Sequence, residues 1–199
     1  MLAIVREAGW PIWPLIATSF IALTLIVERL LALRRSRIAP PRLLEDVLSL
    51  VQKRRITPEI VTRLEADSPL GRILATGLRN AHRSRTALKD ALEQSGETVA
   101  HNLNRYVGAI GTIAAVAPLM GLFGTVVGMI EIFGSYAPAG SDPAQLAHGI
   151  SVALYNTGLG IFIAIPAMIF YRYFRARIND SLHDLERAAA RLADSLQAE

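Results

Sequence analysis

YVGAIGTIAAVAPLMGLFGTVVGMIEIF, residues 106–133, and QLAHGISVALYNTGLGIFIAIPAMIFYRYF, residues 145–174, decide the fold, because from Tyr106 to Tyr171 the chain carries no lysine or arginine. Glu131 and Asp142 are the only charged side chains in that interval. At about 1.5 Å of rise per residue, either stretch crosses roughly 30 Å of hydrocarbon as a helix. The mean hydropathy is positive although 19% of residues are charged, so the charges are segregated rather than spread over a soluble surface. The pattern predicts an all-α membrane protein.

A third apolar run, Trp10 to Leu33, lies near the N-terminus. A secretory signal places its basic residues before the apolar stretch; here Glu28, Arg29, Arg34, Arg35 and Arg37 come at its end or after it. It therefore reads as a retained helix with its C-terminal end in the cytoplasm, and Trp10 and Trp13 as anchors at the outer interface. Alternation then gives seven segments: 1–9 a short outer N-terminus, 10–33 the first transmembrane helix, 34–105 a cytoplasmic helical loop, 106–133 the second span, 134–144 an outer loop, 145–173 the third span, and 174–199 a cytoplasmic helical tail. The outer loop, GSYAPAGSDPA, is rich in turn residues and has no base. Arg34 to Arg105 holds fourteen basic and eight acidic residues, an excess that the positive-inside bias explains without a nucleic-acid partner. No cysteine is present, which removes disulfides, thiolate chemistry and cysteine metal sites.

In the loop, RLLEDVLSLVQKR has apolar residues at Leu43, Leu44, Val47, Leu50 and Val51, a helical period. Thr57 before Pro58 and Ser68 before Pro69 are N-caps with proline at the first helical position. Leu88, Leu92, Val99 and Leu103 keep helical spacing up to Tyr106, so the second span is expected to continue a cytoplasmic helix, with breaks at Gly77 and Gly96. In the tail, Ile178, Leu182, Leu185, Ala189, Leu192 and Leu196 form the seam of a helix that packs on another helix, within one chain or between copies.

Helices associate in lipid through small residues that let backbones approach. The second span places Ala114, Ala117, Gly121, Gly124, Thr125 and Gly128 on one face; the third places Gly149, Ala153, Thr157, Gly160, Ala164 and Ala167 on another. Centred in the bilayer, Thr125 and Thr157 lie slightly outside the midplane at similar depth, with the Asn156 amide beside Thr157. Read from the residues alone, these hydroxyls bond their own backbone at i−4. Pro118 and Pro166 read as helix kinks, Glu28 as a polar site near the cytoplasmic end of its span, and His148 as interfacial. No triad, phosphate loop or metal cluster is legible, so neither an enzyme nor a cofactor is expected.

The stretches APLMGLFGTVVGMIEIF (117–133) and GISVALYNTGLGIFIAIPAMIFYRYF (149–174), with ERL at Glu28–Leu30, resemble the signature helices of the ExbB/TolQ/MotA group of proton-driven inner-membrane motors, most of all ExbB. The resemblance implies a bacterial inner-membrane homo-oligomer, a pentamer, whose second and third helices line a central pore. It implies a partner resembling ExbD or TolR, a single-span protein whose intramembrane aspartate carries the proton, and a TonB-like or Tol-system protein beyond it, with phospholipids around the assembly. Thr125 and Thr157 match the family's pore-facing threonines, and Asn156 joins their polar path. Many ExbB and TolQ chains carry glutamate where Val152 stands, and Thr-Thr-Ala where this chain has Asn156, Thr157 and Gly158. The expected function is an ExbB-like subunit energising outer-membrane transport; the alternatives are a TolQ-like envelope-integrity motor and a non-conducting scaffold. A flagellar stator of the MotA type would have four spans and a larger cytoplasmic domain.

Overall fold

The computed structural model describes residues 9–53, 55–134 and 143–197, the side chains of residues 143–146, 148 and 152 excepted. Expectations for the outer loop, the first residues of the N-terminus, His148 and the Val152 side chain fall outside the described residues. Within them the chain is all-α: α1 (Ile12–Ala32), α2 (Arg35–Ile38), α3 (Leu43–Gln52), α4 (Pro58–Asp67), α5 (Pro69–Arg79), α6 (Arg85–Asn104), α7 (Val107–Gly134) and α8 (Pro143–Gln197). Three helical stretches are long and apolar enough to cross a membrane, and they fall on the three runs read from the sequence. This is a multi-pass membrane protein.

The chain divides into two compact units: one comprises Met1–Glu28 and Tyr106–Tyr173, the other Arg29–Arg105 and Phe174–Glu199. In the first unit, α7 buries Val107, Ile110, Ala114, Ala117, Gly121 and Gly124, alternating steps of three and four, while Leu119, Leu122, Phe123, Val126 and Ile130 stay exposed. That is the pattern of a helix that packs along one narrow seam and offers its bulky side chains to lipid. Leu15 of α1, Ala117 of α7 and Ile163 and Ala164 of α8 form a buried cluster, with Met120 and Leu159 packed against it. Trp10 meets Phe123 edge to face, ring centroids 6.2 Å apart.

The second unit is an ordinary helical core. Thr57 and Ser68 accept the Ile60 and Gly71 amide hydrogens at 3.4 and 3.1 Å, so both N-caps form as read, each with proline opening the helix. Turning directly from α4 into α5 requires Gly71: a Cβ there would strike the Leu64 carbonyl oxygen. The tail seam packs within the chain through Phe174, Ile178, Leu185 and Leu192, all fully or almost fully buried. Leu182 and Ala189, which the sequence set on the same seam, instead line an open groove of about 710 Å³ shared with Leu92, Gly96 and Ala100 of α6.

The breaks fall elsewhere than expected. Gly77 and Gly96 lie inside α5 and α6, which run through them unbroken. Gly77 serves packing: a Cβ would come within 2.6 Å of Leu192 Cδ2. The interruptions are at Asn80–Ser84, where Ser84 caps α6, and at Arg105–Tyr106, where Tyr106 takes a left-handed φ of 65° and separates α6 from α7. The third span and the tail form one continuous helix of 55 residues.

Candidate functional site

The intramembrane seam is built on glycine. A Cβ on Gly121 would lie 2.7 Å from the Asn156 carbonyl oxygen and 2.9 Å from the Thr157 Cα, and one on Gly160 would lie 2.5 Å from the Ala117 carbonyl oxygen. Backbones this close leave no room for any side chain larger than hydrogen. One turn further along α7, Gly124 faces the Asn156 side chain, whose Cβ would stand 2.7 Å from an added methyl. Gly128 then faces Ala153, with a looser 3.2 Å between the added Cβ and the alanine methyl. The predicted packing residues Gly121, Gly124, Gly128, Ala153 and Gly160 thus meet across two helices, and Ala164 joins the cluster around Leu15.

The polar residues separate. Asn156, 1% exposed, sits inside the seam, its side chain against Gly124. Thr157 is half-buried, and its hydroxyl oxygen is buried without a hydrogen bond. Thr125 donates to the Leu122 carbonyl at 2.6 Å, an i−3 bond, and looks out over an apolar surface formed with Val126, Met129, Ile130 and Phe133. No hydrogen bond joins the two threonines.

The i−4 back-bond expected of both hydroxyls is therefore made by neither. Elsewhere in the spans it is common: Thr18, Thr24, Thr112 and Ser151 donate to Pro14, Phe20, Gly108 and Ala147 at 2.8 to 3.1 Å. Against that background Thr157 is the exception. A buried hydroxyl without a partner costs about 1–3 kcal/mol.

Pro118 and Pro166 lie inside α7 and α8, which continue on either side of them. Glu28 is exposed at the end of α1. Its neighbour Arg29, which the sequence marks only as a flank of the apolar run, is the more buried of the two, 7% exposed, and its Nη1 donates to the Leu103 carbonyl at 3.4 Å. The close approach of Tyr171 to Gly111, where an added Cβ would come within 2.8 Å of the ring, is a second contact that composition does not signal.

Residues 65–187 match the profile of the MotA/TolQ/ExbB proton channel family. The chain is similar to biopolymer transport protein exbB1 of Vibrio cholerae, 30% identical over 82% of this chain and 74% of the relative. An ExbB homolog of Methanothermobacter thermautotrophicus is 30% identical over 94% of this chain and 67% of its own length. Biopolymer transport protein ExbB of Salmonella typhimurium is 35% identical over 51% of this chain and 42% of the relative.

Proposed function

The chain belongs to the MotA/TolQ/ExbB proton channel family, and from that premise we propose that it is the ExbB-like subunit of a motor in a bacterial inner membrane, driven by the proton gradient. In this reading several copies, five by the family pattern, surround a pore lined by α7 and α8, with the N-terminus periplasmic and the C-terminus cytoplasmic. A single-span ExbD-like partner supplies the titrating aspartate, and the pair energises a TonB-like protein for outer-membrane transport.

The observation that carries the reading is the Thr157 hydroxyl, buried in the span and making no hydrogen bond. A hydroxyl both donates and accepts, so it can hold a water or face a carboxylate in either protonation state. Thr125 keeps its oxygen lone pairs on an open apolar surface where a partner helix can lie. Asn156 stiffens the seam that sets Thr157 in place and adds an amide where much of the family has threonine. The kinks expected at Pro118 and Pro166 would shape the pore wall. Each charge moved through the potential supplies about 2.3 kcal/mol per 100 mV, so useful work needs several protons per step.

The test is reconstitution of the full chain with a neighbouring single-span protein that bears an intramembrane aspartate, with gradient-driven uptake as the readout. Thr125→Val with Thr157→Val is expected to abolish uptake, and the serine pair to restore it. Intact uptake in the double valine variant would show the polar path to be wrong. Activity that survives collapse of the gradient would point instead to a non-conducting scaffold. A TolQ-like role is separated from an ExbB-like one by whether loss of the chain impairs envelope integrity rather than uptake.

A further inference from the structure

The groove between α6 and the tail of α8 lies wholly in the second unit and takes no part in the proton path. Leu92 and Leu185 are buried at its bottom, and Gly96, Ala100, Leu182 and Ala189 lie half-buried above them. From Arg85 to Ala100 the α6 edge is about 22 Å long, or four helical turns. Gly96 stands in the interior of α6, where glycine costs about 1 kcal/mol relative to alanine. Packing within the chain does not require it, because nothing lies within 4 Å of a Cβ added there. Gly77 differs in this, since a Cβ on it meets Leu192. A bare stretch of helix facing an open groove lets a further backbone come close. On the other wall Ala189, Ala190 and Ala193 keep the surface equally low.

Charge tells what kind of helix fits. The rim carries four carboxylates, Glu93, Glu97, Glu186 and Asp194, against two bases, Arg85 and Lys89, although the chain as a whole is net +4. The bases stand at the start of α6 and the glutamates follow them, while the α8 edge is acidic only. Arg187, next to Glu186, is paired with Asp184 at 2.5 Å. Of the six rim charges, all exposed, only Glu186 has an ion-pair partner among the described residues, His183 on its own helix at 3.9 Å. An extended peptide would leave its backbone polar groups unpaired over this apolar floor, which offers no strand edge. A helix satisfies its own.

We propose that this groove is the seat of an amphipathic helix from a separate partner protein, about four turns long, its apolar stripe on the floor between Gly96 and Ala189 and its flanks bearing lysine or arginine against Glu93, Glu97 and Glu186. Under the orientation proposed above that partner is cytoplasmic. The seat uses neither Thr125 nor Thr157, and so stands or falls separately from the motor reading.

The experiment takes the full chain in uncharged detergent with two fluorescent synthetic helical peptides that share one leucine and alanine stripe, one flanked by lysines and one by glutamates. Binding is followed by anisotropy, with protein-free micelles as the blank. The lysine peptide is expected to bind about tenfold tighter than the glutamate peptide and to weaken as salt rises. Gly96→Leu fills the floor and is expected to weaken the lysine peptide by about tenfold or more, without lowering the thermal midpoint, since leucine is the better helix former. Glu93→Lys with Glu97→Lys is expected to reverse the preference between the peptides. Asp90→Lys with Asp180→Lys makes the same change of charge at exposed positions outside the groove and is expected to keep it. Equal affinity for the two peptides, or unchanged affinity in Gly96→Leu, would overturn the seat. Loss of the preference in the Asp90 and Asp180 variant would show that overall charge decides, which overturns it as well. A Gly96→Leu chain whose assembly falls to a lower mass by light scattering would assign the groove to a second copy in place of a separate partner.

Discussion

At Gly121 and Gly158 the same substitution should have opposite effects. A methyl on Gly121 meets backbone atoms of Asn156 and Thr157, whereas nothing lies within 4 Å of one on Gly158. Gly121→Ala is expected to lower stability in detergent by about 1–3 kcal/mol, and Gly158→Ala to raise it by a few tenths or more through helix propensity, both read from thermal unfolding. Thr157 offers a sharper separation of stability from function. Valine keeps its shape and removes a hydroxyl that has no partner within the chain, so Thr157→Val is expected to unfold no earlier than wild type while gradient-driven uptake falls. Lower thermal stability in that variant would mean that the hydroxyl is bonded in the folded protein. Residues of this kind mark the limit of reading a sequence. Spacing put Thr157 on the stripe of small residues, but whether its hydroxyl turns back to its own helix depends on a rotamer that packing decides. Arg29 was missed for a related reason: a base after an apolar run reads as a flank, and only the fold buries it.

Among the elements, α5, α6 and the tail of α8 meet where Gly77 and Leu92 receive Leu192. Leu192→Ala is expected to cost about 2–5 kcal/mol in that core, measured by chemical unfolding. The joint between α6 and α7 rests on the positive φ of Tyr106. Tyr106→Gly should be neutral or better there, and Tyr106→Val should destabilise, because a β-branched residue resists the left-handed region. The apolar spans and the two proline-marked caps were legible because hydrocarbon thickness and cap geometry each leave a local signature. The breaks were not. Gly77 looked like punctuation but is a packing requirement, and the turn after Arg79 uses Asn80 and Ser84 with neither proline nor glycine. The tail seam was half legible: its period gave Ile178, Leu185 and Leu192, but not that Leu182 and Ala189 would face an open groove.

For the whole molecule the orientation can be tested without altering the native chemistry, since the chain has no cysteine to remove. Arg83→Cys and Gly134→Cys place single thiols at exposed positions beyond opposite ends of the second span. A membrane-impermeant maleimide is expected to label Gly134→Cys from outside intact spheroplasts and Arg83→Cys only in inverted vesicles. The reverse result would invert the proposed topology and with it the direction of proton flow. A last consequence concerns α8, whose 55 residues run on without a break from the apolar stretch into the charged tail. A helix with a joint at the interface can meet a thinner or thicker bilayer by bending there. In this one the bend expected at Pro166 falls within the apolar stretch itself, so a change in hydrocarbon thickness is met by bending at that proline, by tilting the apolar stretch or by deforming the lipid around it. Acyl-chain length should therefore act on this protein as a mechanical variable, with an optimum set by the distance from its first apolar residue to Arg172.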